Sequence, residues 1–164
     1  MKTLLLLRHA KSSWKNSDAD DHERSLNKRG KKDAPRMGRL LRDENLLPDL
    51  IVSSSAKRCR KTLERVIQGS SYRGESRISG ELYEADAQGL RDFLSHLPES
   101  ANRILLVGHN PGLEELLEPL VGVYTPLSTA AVARVELPID SWRDLSRETR
   151  GNLVNVWQPR ELEN

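Results

Sequence analysis

Leu4 to Leu7 is an unbroken apolar run, too short for an ordinary helix and lacking the alternation of a strand that faces water on one side. A run of this kind reads as a strand buried on both faces, and such strands belong to parallel sheets covered by helices. Thr3 to Leu7, Leu50-Ile51-Val52 and Arg103 to Val107 share this character. Ala130 to Leu137 and Leu153 to Trp157 read as further strands with some alternation.

Helical patterns lie between the runs. Asn27 is placed to cap a helix reaching about Arg42, with Ala34, Met37 and Leu41 on one face. Gly30, Pro35 and Gly38 weigh against that helix, and Pro35 is a point where it would kink. Cys59, Leu63, Val66 and Ile67 fall at helical spacing, with Gly69 as the stop. A third helix runs from an Asp86 cap through Leu90, Leu94 and Leu97 to Pro98. A fourth has Asn110 as cap, Pro111 at its first position and Leu113, Leu116, Leu117 and Leu120 as its face. Lys11 to Glu23, Gly69 to Gly80 and Pro138 to Gly151 read as loops. Strand alternating with helix gives an α/β class: a three-layer sandwich with a mainly parallel central sheet flanked by helices. With no repeat and no linker, residues 1–164 are expected to form a single domain.

Composition narrows the function classes. A net charge of +2 and 4% aromatic residues supply neither the clustered charge nor the stacking rings of a nucleic-acid binder. The lone Cys59 allows no internal disulfide, and no Cys/His spacing resembles a metal site. Arg8 breaks the leucine run short of the roughly seven apolar residues of a secretory core. No stretch is long enough to span a membrane, so a cytoplasmic protein without a membrane partner is expected.

In open α/β sheets ligands bind beyond the carboxyl ends of the strands. Three such ends carry chemistry here: Arg8-His9-Ala10, then Ser53-Ser54-Ser55 followed by Arg58, and Gly108-His109-Asn110-Pro111-Gly112. Each alone is ordinary; a dipeptide, a helix cap or a strand-to-helix turn explains it. A parallel sheet would bring all three to one edge, gathering two histidines, two arginines and two helix N-termini. Helix N-termini favour anions, and arginine forks match phosphate oxygens, so a phosphoryl group is the natural occupant. The phosphate loop of nucleotide triphosphatases is absent from the sequence.

These residues resemble a known family. Arg8-His9-Ala10 after an apolar strand is similar to the signature of the histidine phosphatase superfamily, usually Arg-His-Gly. Ser53 to Thr62 (SSSAKRCRKT) and Val107 to Gly112 (VGHNPG) resemble its second and third motifs. LLLLRHAKSSW, the RSLNKRG stretch from Arg24 to Gly30, LPDLIVSS, ELYEA and LLVGHNPGLEEL resemble the short SixA-type phosphohistidine phosphatases, over roughly residues 2 to 137. The resemblance implies a phosphoglycerate mutase-like fold and a phosphatase that needs no metal or other cofactor. It implies that His9 attacks phosphorus and is transiently phosphorylated, that Arg8 and Arg58 hold the phosphoryl oxygens with Arg24 as an additional phosphate-binding arginine, and that His109 stabilises charge in the transition state. An acceptor beside the imidazole would then fix the His9 tautomer. Larger relatives add a carboxylic acid that protonates the leaving oxygen. Glu81 is the candidate for that acid, although Glu81 to Glu84 departs from their motif. Ser25 and Ser55 stand where this branch usually has proline, and Cys59 where it has alanine.

The partner implied is a phosphorylated protein, such as a histidine phosphotransfer domain in signal transduction, or a small phosphorylated molecule. Two further readings stay open: a small-molecule phosphomonoesterase of the same superfamily, and a phosphate-binding regulatory module with little turnover. Mutase activity is disfavoured because the chain lacks the inserted lid segments of those enzymes. Asp18, Asp20, Asp21, His22 and Glu23 read as a solvated loop rather than a metal cluster. His96 reads as a helix-end contact and Cys59 as packing; Trp14 is placed to line the pocket mouth. The basic run Lys28, Arg29, Lys31 and Lys32 reads as a solvated face that would suit an acidic protein substrate.

Overall fold

A computed structural model of the protein describes residues 1–15 and 20–162. Asp18, the first member of the acidic stretch, lies outside the described residues. Strands β1 (Lys2–Arg8), β2 (Leu50–Ser54), β3 (Glu75–Ser79), β4 (Arg103–Gly108), β5 (Val132–Leu137) and β6 (Asn152–Trp157) form one sheet in the order β3-β2-β4-β1-β5-β6. The first four are mutually parallel, and β5 runs antiparallel to both β1 and β6. The helices are α1 (Lys28–Asp43), α2 (Lys57–Ser70), α3 (Ala87–Ser95) and α4 (Gly112–Val121).

Why the apolar runs are unbroken is visible in the two cores. Leu4, Leu6, Leu50, Val52, Ile104 and Leu106 pack with Leu90, Leu94, Leu113, Leu116 and Leu117 of α3 and α4. Leu5, Leu7, Ile51, Leu105 and Val107 pack with Ala34, Met37, Leu41, Cys59, Leu63 and Val66 of α1 and α2. Alternate residues thus serve opposite faces of the sheet, and each fully buried leucine contributes about 1.5–3 kcal/mol. The result is the three-layer, mainly parallel α/β sandwich that the sequence pattern predicts.

Three local readings of the sequence need correction. The stretch read as a loop from Gly69 to Gly80 contains β3, an edge strand whose residues are exposed or half-buried and mostly polar, so it carries no apolar run. Gly69 does not stop α2; the helix continues to Ser70, and Ser71 takes the left-handed conformation (φ 58°). Gly69 and Gly38 instead let α1 and α2 touch. A Cβ on Gly69 would lie 2.1 Å from the Pro35 carbonyl oxygen, and one on Gly38 would lie 2.3 Å from that of Val66. The helix α1 runs through Pro35, and the Lys31 carbonyl that residue 35 cannot bond accepts from Arg65 Nη1 at 3.5 Å. Finally, Asn110 does not cap α4. Its amide donates to Glu114 Oε2 and the Leu127 carbonyl, both at 3.0 Å, and Pro111 takes the cap position ahead of Gly112. Asn27 and Asp86 do cap α1 and α3, accepting from Gly30 N–H and Gly89 N–H.

Register places the loaded strand ends side by side. Arg8 pairs with Gly108, and Val107 pairs with both Leu7 and Ser53. The turns after β1, β4 and β2 therefore leave the sheet together at its carboxyl edge.

Candidate active site

Those turns surround a cavity of about 670 Å³, lined by Arg8, His9, Arg24, Arg58, His109 and Asp21 among others. His9 leaves β1 with its main-chain N–H bonded to Gly108 O at 3.0 Å and is only 7% exposed. Its Nδ1 lies 2.8 Å from Ala10 O. A carbonyl only accepts, so Nδ1 carries the proton and Nε2 keeps its lone pair. Ala10 N–H donates to Thr62 Oγ1 at 2.9 Å, and that hydroxyl donates to Arg58 O at 2.7 Å. This buried relay ties the histidine turn to the first turn of α2, which carries Arg58.

The His109 ring centre lies 5.4 Å from that of His9. Arg58 Nη2 approaches His109 Nδ1 at 3.3 Å, so that nitrogen accepts, and Nε2–H donates to Ser54 Oγ at 2.8 Å. Cys59 Sγ is 3.5 Å from the same Nε2, a proximity that its helical position alone does not reveal. Burial pushes the thiol up to about 12, so it stays protonated. Arg8 donates from Nη1 to Leu127 O at 3.0 Å. Arg24 donates from Nη2 to Ser12 Oγ at 2.9 Å, and its guanidinium lies 3.5 Å from the centre of the Trp14 ring. Trp14 itself is 76% exposed at the mouth of the cavity.

Charge and burial set the protonation states. The His9 pKa falls from 6.5 to about 3, first through burial and then through repulsion by His109, Arg58 and Arg8. The His109 pKa falls to about 4 through burial and the Arg58 guanidinium. Both imidazoles are neutral at neutral pH, the state in which His9 Nε2 can act as a nucleophile. Their ring resonances are expected to remain those of neutral imidazole from about pH 8 down to about pH 5; a midpoint near 6.5 would contradict this. The unfolded chain binds these protons near 6.5 and the folded chain does not, so stability is lost as pH falls from about 6.5 towards 3.

Glu81 requires a correction. It is exposed, it does not line this cavity, and it borders a separate one with Arg77, Phe93 and His96. The 3₁₀ turn Gly80–Leu82 buries Leu82, and the chain reaches the active cavity only at Glu84, a residue with φ 59°. Glu84, Asp86 and Glu115 are carboxylates on the cavity wall. The sequence motif carried this glutamate, but the spacing gave no reason to choose it over Glu81. Asp21 and Tyr83 also escaped sequence reasoning. Asp21 pairs with Arg58 and Arg24 and accepts from Tyr83 Oη at 2.6 Å. His22 and Ser55 meet at 2.9 Å, and Glu23 pairs with Arg60. Among the described residues no group of three His, Cys, Asp or Glu is placed to hold a metal ion. His96 sits at the C-cap of α3, its Nδ1 2.7 Å from Asp92 O. No described helix is long and apolar enough to cross a membrane.

The model of the histidine phosphatase superfamily (branch 1) matches residues 4–90. An uncharacterized chloroplastic protein of Arabidopsis thaliana is 31% identical over 156 residues, covering 87% of this chain and 70% of that one. The fold is similar to that of a protein from Nakamurella multipartitia provisionally assigned as the phosphohistidine phosphatase SixA. Its TM-score is 0.84 at 25% identity, over 96% of each chain. The corresponding protein from Agrobacterium tumefaciens gives 0.83 at 27% identity, over 96% of this chain and 98% of that one.

Proposed function

The chain belongs to the histidine phosphatase superfamily, and from that premise we propose that it hydrolyses phosphohistidine in proteins through a phosphorylated His9. The observation that carries the proposal is the His9 imidazole. Its Nδ1–H is committed to Ala10 O, and Nε2 keeps a lone pair in a cavity bordered by three arginines and His109. Nε2 attacks phosphorus, and the bond to the leaving group breaks with its electron pair. Water then attacks the phosphorus of phosphohistidine-9, and inorganic phosphate departs. Arg8, Arg58 and Arg24 neutralise the phosphoryl oxygens. His109 adds a dipole close to the reacting centre and gains a proton more readily once a dianion is bound. Phosphoryl transfer needs chiefly such positioning and charge neutralisation.

The likeness to the two SixA structures supports phosphohistidine as the substrate, as does the nature of its leaving group. An imidazole departs more easily than an alkoxide and depends less on a general acid. The exposed lysines and Arg29 at the start of α1 suit an acidic protein partner, such as a histidine phosphotransfer domain. We place this single-domain enzyme in the cytoplasm, a setting that a buried, unpaired Cys59 suits. The test compares kcat/KM for a phosphohistidine-bearing protein and for p-nitrophenyl phosphate. A preference of about a hundredfold or more for the protein is expected. Equal values, or a preference for the ester, would put a small-molecule phosphomonoesterase in its place.

A further inference from the structure

Asp21 is one of four carboxylates on the cavity wall, with Glu84, Asp86 and Glu115, and the one that lies against its arginines Arg58 and Arg24. It opens the 3₁₀ turn Asp21–Glu23 and does not serve as its cap. Its oxygens face two guanidiniums and a phenol hydroxyl. Oδ2 lies 3.2 Å from Arg58 Nη2 and accepts from Tyr83 Oη at 2.6 Å, and Oδ1 lies 3.4 Å from Arg24 Nε. Its main-chain carbonyl takes Arg58 Nη1 at 2.8 Å. Both terminal nitrogens of Arg58 are thus engaged with this one residue. Apart from these contacts, Arg58 Nε, Arg8 Nε and both Nε and Nη1 of Arg24 are buried and have no hydrogen-bond partner among the described residues, so the approach of Arg24 Nε to Asp21 is an ion pair without a hydrogen bond. The cavity holds more cationic donors than its described acceptors satisfy. Among the described residues, the one carboxylate paired with two of the three arginines is Asp21.

We infer that Asp21 is an internal stand-in for the phosphoryl group: its carboxylate occupies Arg58 and Arg24 until a phosphoryl group takes them over, and reclaims them as phosphate leaves. The inference rests on the phosphatase reading and adds a positioning residue to it. Two guanidiniums facing one cavity repel each other, and a carboxylate between them relieves that repulsion in the free protein. The same negative charge opposes an incoming dianion. Three arginines without such a competitor would retain inorganic phosphate and slow its release. A residue that only oriented Arg58 would have the opposite effect, since its loss would weaken anion binding.

The experiment is titration calorimetry of inorganic phosphate into the full-length protein at fixed ionic strength, for the wild type, Asp21→Asn and Asp21→Ala. Asp21→Asn keeps the shape and loses the charge; in Asp21→Ala the main-chain carbonyl still holds Arg58 Nη1. The Kd for phosphate is expected to fall about tenfold in each folded variant, the size of one nearby screened charge. The KM for substrate is expected to fall with it, a change that a purely structural role would reverse. An unchanged or raised Kd in a folded variant overturns the inference and leaves the phosphatase reading standing. Tighter phosphate binding by the variants without any His9-dependent turnover in the wild type would remove the phosphatase reading and support Asp21 as the competitor. Absence of phosphate binding in all three proteins overturns both.

Discussion

Replacing His9 by alanine is expected to lower kcat by at least about 10⁴-fold on any phosphorylated substrate the protein turns over, the scale of losing a nucleophile. Among the described residues, no other side chain in the cavity offers a comparable group. His109 Nδ1 accepts from Arg58 and its Nε2–H is committed to Ser54, and the Cys59 thiol is held protonated by burial. The variant should fold, because the substitution removes one side-chain hydrogen bond, to Ala10 O, while the Ala10 N–H bond to Thr62 remains. Far-ultraviolet circular dichroism and the retained affinity for inorganic phosphate check that point. A His9→Ala protein with more than a tenth of the wild-type kcat would require a different nucleophile.

The second large effect is at Arg58. Arg58→Ala is expected to lower kcat/KM by about 10²–10³-fold, the range for removing one preorganised donor to developing charge. Arg58→Lys should recover little of this. A lysine cannot present a fork, and the guanidinium bridges His109 Nδ1 and two oxygens of Asp21 at once. Steady-state kinetics on both variants would separate the charge from the fork. Melting temperatures serve as a control for the 3₁₀ turn that Arg58 anchors through Asp21 O. Full activity in Arg58→Lys would reduce Arg58 to a point charge.

How much of this was legible in the sequence follows from where the signals lie. Leu4 to Leu7, Leu50 to Val52 and Arg103 to Val107 announce buried strands because both of their faces are covered, and parallel pairing then levels the turns that follow them. His9, Arg58 and His109 are therefore readable as neighbours from the sequence. The edge strand β3 is not, because an edge with one sheet neighbour and largely exposed residues needs no apolar run. Gly38 and Gly69 misled for a related reason: their role is a close approach between two helices, and helix propensity does not record such approaches. Asp21 and Tyr83 were hidden because their partners are far away in sequence, Arg58 above all. Glu81 and Glu84 both lie in the same motif, but Glu81 sits inside the 3₁₀ turn Gly80–Leu82 and only Glu84, beyond it, lines the cavity.

In the proposed reaction a phosphoryl group passes through His9. The most direct measurement of this is rapid-quench trapping with a phosphoryl donor labelled at phosphorus, followed by peptide mapping. The expected result is a stoichiometric, acid-labile and alkali-stable label on the peptide containing His9, formed and lost at rates compatible with kcat and absent from His9→Ala. Turnover at the wild-type rate with no label on His9, or with the label on another residue, would contradict the claim.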